Sequence, residues 1–110
     1  MSNQNQKVPF FDGTNYPYWK ATMKTYLLIV GRPVWNICKN TAFRVVDNPV
    51  GDAQERADDA NSKAMNALYA GLSQAEFDHV SDCATACAIW ARLKKFHEGT
   101  NEVKTRRIET

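Results

Sequence analysis

The chain has 110 residues, 44% of them hydrophobic, and a formal net charge of +2. That is one domain's length, too apolar for a disordered chain, and too nearly neutral for bulk charge to imply nucleic-acid binding. Five glycines and four prolines are too few for a body built of tight turns and short strands.

Residues 1–7, MSNQNQK, read as a flexible tail ahead of a single lobe over residues 8–110. Val8 to Phe11 reads as a short extended segment because Pro9 blocks a helix, and Asp12-Gly13 is a turn signal. Aromatic residues crowd the stretch from Phe10 to Trp19. Pro17 takes the first position of helix one, with Tyr16 held just outside in extended geometry. Trp19, Met23, Tyr26, Leu27 and Val30 form one helical stripe, and Gly31 ends it. Pro33 opens a short second helix through about Lys39, with Val34, Trp35, Ile37 and Cys38 as its apolar residues. Residues 40–51 read as a loop with a strand-like piece at Phe43 to Val46.

Asp52 and Glu55 have capping-box spacing at the start of a third helix that runs to about Ala70. Its apolar side is Ala53, Ala57, Ala60, Ala64, Ala67 and Leu68, a lean stripe that lets a neighbour approach closely. Ser73 and Glu76 form a second capping box, with Leu72 and Phe77 at the positions of a hydrophobic staple. That helix ends near Ser81. Thr85 caps a fifth, where Ala86, Ile89, Trp90, Leu93, Phe96 and His97 share a face and Gly99 is the stop. Asn101 opens a sixth helix, truncated at the end of the chain. The sum is an all-α fold, a compact bundle of five or six short helices behind a short extended aromatic segment.

Nothing in this pattern converges on catalysis. Asp58 and Asp59 are neighbours in a helix and point about 100° apart, so they do not face one pocket. Cys83, Cys87, His79 and His97 fit no common zinc spacing. Ser73 and Thr85 serve better as caps than as nucleophiles. The stretch EGTNEVK has one glycine and matches no phosphate loop. No enzyme, cofactor or metal is expected. The odd set of thiols, Cys38, Cys83 and Cys87, points to a reducing compartment. Tyr26 to Val30, the longest apolar run, is far too short to cross a bilayer. The expected location is cytoplasmic, with the nucleus also open, and no membrane partner is expected.

Trp19, Trp35 and Trp90 are expected core anchors, each burying on the order of 200 Å². Successive side chains of an extended segment face opposite ways, so Phe10 and Phe11 cannot both enter one groove. One fills a groove between helices; the other is left for a partner or a second copy. Tyr16 joins them as a candidate groove contact. Lys94, Lys95, Lys104, Arg106 and Arg107 gather basic charge near the C-terminus, either as a solvated face or as RNA phosphate contacts.

Several motifs fall in a telling order. Phe11, Gly13, Asn15, Tyr16 and Trp19 spell F-x-G-x-N-Y-x-x-W. Thr85, Ala86, Trp90 and Leu93 spell T-A-x-x-x-W-x-x-L, and Glu98, Gly99, Thr100, Val103 and Lys104 spell E-G-T-x-x-V-K. This ordered set resembles the Gag polyprotein of plant copia-type LTR retrotransposons. The resemblance implies a helical lobe like a retroviral capsid N-terminal lobe, which self-associates into virus-like particles around RNA. It also implies an assembly face on helix one, carried by Lys20, Thr22, Lys24 and Thr25. The second lobe and the Cys-Cys-His-Cys knuckle of that family are not in this sequence, so RNA packaging would belong to a longer polyprotein. An RNA-binding module using the basic C-terminal segment, and a domesticated adaptor that holds a peptide near Phe10 to Trp19, are the alternatives.

Overall fold

The computed structural model describes residues 7–98. Residues 1–6 of the expected tail, the Gly99 stop, the sixth helix, Lys104, Arg106 and Arg107 lie outside the described residues. Within them the chain forms α1 (Tyr16–Val30), α2 (Arg32–Lys39), α3 (Gly51–Ala70), α4 (Gln74–Val80) and α5 (Ala86–Glu98). The fold is an all-α bundle. Residues 43–46 have no ladder partner, contrary to the strand-like reading, and Phe43 instead packs against the core after a turn closed on Asn40.

The start of α1 differs from expectation. Asn15 adopts a left-handed φ of 54°, and its carbonyl accepts the Trp19 amide at 3.2 Å. Asparagine tolerates that conformation better than most residues. Tyr16 is therefore the first helical residue, and Pro17 the second. The pre-proline penalty is offset by burial, since Tyr16 is only 4% exposed among Phe11, Trp19 and His97. At the other end Gly31 serves two helices. Its amide donates to Leu27 of α1, and its carbonyl accepts Val34 and Trp35 of α2.

The Asp52–Glu55 capping box does not form. α3 begins at Gly51 with Val50 as its cap residue, and the Val50 amide donates to Gln54 Oε1 at 2.8 Å. Asp52 falls inside the first turn, where its charge favours the helix N-terminus. Only the second half of the alanine stripe is buried: Ala60, Ala64, Ala67 and Leu68, joined by Asn61. Ala53 is exposed and Ala57 half-buried, because the first turns of α3 reach past the core.

Ser73 caps α4, its Oγ accepting the Glu76 amide at 3.3 Å. The return bond of a capping box is missing, because the Ser73 amide donates to Phe11 and the Glu76 carboxylate turns to His97. Thr85 caps α5 through the Ala88 amide. Asn61 Oδ1 adds a second cap from across the bundle, accepting the Ala86 amide at 2.8 Å. Phe96 leaves the expected apolar face and lies largely exposed, stacked on the His79 ring at 4.1 Å. Trp19 and Trp35 are buried, and half-buried Trp90 packs between them at 5.8 and 5.3 Å.

Candidate interaction surfaces

The N-terminal arm closes one side of the bundle. Phe11 pairs in parallel with Leu72: its amide donates to Gly71 at 2.7 Å, and its carbonyl accepts Ser73 at 3.0 Å. The Phe11 ring is 1% exposed, stacked on Trp19 at 4.9 Å with the His97 ring against its edge at 4.8 Å. The Trp19 indole N–H donates to the Pro9 carbonyl at 3.1 Å. Gly71 permits the crossing, since a Cβ there would stand 2.5 Å from the Pro9 oxygen and 2.7 Å from Met23. Asp12 then turns the chain by accepting the Thr14 amide and hydroxyl; chiefly the hydroxyl bond holds its carboxyl below the usual range. Gly13 follows at a φ of 102°, and a Cβ there would lie 3.1 Å from Glu76 Oε2. Beneath the arm, Glu76 Oε1 meets His97 Nε2 at 2.7 Å, a contact that no sequence spacing announced.

Phe10 and Phe11 thus separate as the alternation of an extended segment requires. Phe11 and Tyr16 fill their own domain's groove, and neither is open to a partner. Phe10 is 64% exposed. Among the described residues the buried Tyr16 hydroxyl has no hydrogen-bond partner. Burial, then the nearby Glu98 charge, push this phenol up to about 12.

A second surface lies between α1, α2 and α5. It is a groove of about 700 Å³ walled by Pro17, Ala21, Trp35, Cys38, Cys87, Trp90 and Ala91. Lys20, Lys24, Lys39 and Lys94 rim it, with Glu98 its one acid among the described residues. Lys20 pairs with Glu98 at 2.9 Å. Lys24 and Lys39 both hang over the Trp35 ring, at 5.5 and 5.6 Å from its centroid. Burial pushes the Cys38 thiol up to about 12, and raises Cys87 as well.

The four residues assigned to an assembly face of helix one do not share a face. At about 100° per residue, Lys20 and Lys24 lie together, while Thr22 and Thr25 point elsewhere. Lys20 and Lys24 line the groove; Thr22 and Thr25 bond back to the Trp19 and Ala21 carbonyls of their own helix. Lys94 and Lys95 are both exposed on α5.

Large apolar side chains also stand in water away from the groove, at Ile29, Val30, Val45, Val46 and Val50. Three shallow hollows run along α3, and two of these side chains, Val46 and Val30, line them. Val46, Ala53 and Ala57 line the first, Pro33, Ala57 and Ala60 the second, and Val30, Pro33 and Ala60 the third. Shared residues make these one strip. Arg44, Arg56, Asp58, Asp59 and Lys63 edge it with both signs of charge.

Among the described residues no cluster of His, Cys, Asp and Glu could hold a metal, and no helix is long and apolar enough to cross a membrane. The fold and its surfaces define an all-helical lobe whose exposed features are an apolar strip and a lysine-rimmed groove. The chain belongs to the gag polypeptides of copia-type LTR retrotransposons: that family's description matches residues 23–109. Gag is the structural, non-catalytic part of the retrotransposon polyprotein. No curated protein and no solved structure matches the chain. The family match begins after the aromatic arm, yet Phe11, Tyr16 and Trp19 pack in the same core as the matched residues.

Proposed function

We propose that this chain is a capsid-like assembly lobe of Gag, meeting copies of itself without catalysing a reaction. The observation that carries this reading is the apolar strip along α3. Val46, 39% exposed, and Val30, 44% exposed, stand at its two ends. Its mixed-sign rim suits a two-fold contact, in which each copy offers the same patch and opposite charges can meet. Lattices multiply such weak contacts by repetition.

Sedimentation velocity at rising concentration tests it, up to about 1 mM, where weak contacts become visible. Association is expected for the native chain, and its loss in Val30→Asp/Val46→Asp with an unchanged helical spectrum. A native chain that stays monomeric throughout, alone and within full-length Gag, overturns the reading. A second reading, RNA contact through Lys94, Lys95 and the basic residues beyond Glu98, draws on the exposure of both lysines. It requires RNA retention on filters that falls steeply with salt.

A further inference from the structure

We propose that the groove between α1, α2 and α5 docks an extended acidic peptide carrying apolar side chains, supplied by another protein. This site is separate from the apolar strip, and separate from the groove that Phe11 fills. Lysines from three helices converge on it: Lys20 and Lys24 from α1, Lys39 from α2 and Lys94 from α5. The single acid among the described residues, Glu98, already holds Lys20. Lys24, Lys39 and Lys94 have no carboxylate partner among the described residues.

Lys24 and Lys39 make the stronger point. Two ammonium groups from different helices approach one indole, each attracted by the ring, so cationic charge concentrates at this wall. A carboxylate beside them would supply the anion that neither lysine has among the described residues. The wall beneath is apolar, and the groove's volume is within the ordinary range of ligand clefts. It therefore has room for apolar side chains under a charged rim.

The same features argue against a nucleic-acid strand. Base stacking needs an open ring face. Trp35 is 8% exposed and covered by the two lysines, while Trp90 is packed against both Trp19 and Trp35. The chain's own remaining segments carry the wrong charge. Residues 1–6 contain no acid, and residues 99–110 contain two acids against three bases.

The test uses the full chain and a fluorescein-labelled peptide of repeated Glu-Leu-Asp-Phe, read by anisotropy. Binding that weakens with salt is expected. It should fall about tenfold or more in Lys24→Glu/Lys39→Glu. Ala91→Trp, which fills the groove from an exposed position without changing charge, should weaken it too. Far-ultraviolet spectra and melting curves establish that both variants fold. The proposal is overturned if the acidic peptide leaves anisotropy unchanged, or binds both variants as well as the native chain. It is equally overturned if labelled oligouridine binds more tightly than the peptide and loses that binding in the double variant. Loss of self-association in the double variant, with no peptide binding to the native chain, also overturns it and makes a second copy the occupant.

Discussion

Truncating Phe11 to alanine should be among the most damaging single changes in this protein. The ring is 1% exposed and touches Trp19, Tyr16 and His97. Removing a buried phenylalanine costs about 3–5 kcal/mol, part from lost transfer of apolar surface and part from the cavity left behind. Against a typical domain stability of about 5–15 kcal/mol, that is a large fraction. With a urea slope of about 1–3 kcal/mol per molar for a small protein, the unfolding midpoint should drop by about 1–5 M. Phe10→Ala is the internal control. Its side chain is 64% exposed, so the change should stay within about 0.5 kcal/mol of the native value. Deleting residues 1–12 should cost at least as much as Phe11→Ala, because it also removes the Pro9 carbonyl that accepts the Trp19 indole. Equal midpoints for the two phenylalanine variants would refute the reasoning, for the arm would then be no part of the folded core.

Three further outcomes are expected. Asn61→Ala strands the buried Ala86 amide at the start of α5 and should cost about 1–3 kcal/mol by the same urea assay. Tyr16→Phe removes a buried hydroxyl that has no partner among the described residues, so stability near neutral pH should hold or rise slightly. The Tyr16 phenol is raised from 10.0 to about 12, so the native state favours the protonated form. Its contribution is full below pH 10 and is lost as pH climbs through 10 towards 12. The native chain should therefore lose stability across that window more than Tyr16→Phe does, and tyrosinate absorbance should show one late-ionising phenol. Ellman's reagent should reach half-buried Cys87 first, and Cys38, 2% exposed with its thiol pushed to about 12, only as the chain unfolds.

What the sequence could reveal was local. Ser73 and Thr85 cap their helices through amides three residues away, and that distance is readable in one dimension. Trp19, Met23 and Leu27 of the α1 stripe and the four apolar residues of α2 were equally legible, since helical spacing alone sorts them. But Val30, at the end of that stripe, is 44% exposed and Tyr26 only half-buried. The failures share a cause. Asp52 and Glu55 had capping spacing, but Val50 and Gln54, just upstream and between them, bonded one another and started the helix early. Glu76 matched a capping box, yet its carboxylate went to His97. Asn61, which no spacing in the sequence singled out, caps a helix that begins 25 positions later. The lysine groove was hidden for the same reason: no spacing relates Lys24 to Lys39 until α1 and α2 fold over Trp35.

The seat of the N-terminal arm has an implication for biosynthesis. Phe11 leaves the ribosome early with Tyr16 and Trp19 close behind, but the rest of its cover runs from Gly71 to His97. At roughly 5–20 residues per second, the delay between them is on the order of ten seconds. Through that interval Phe11 lacks its later cover, so neighbouring nascent chains on one message have time to trade arms before each closes on itself.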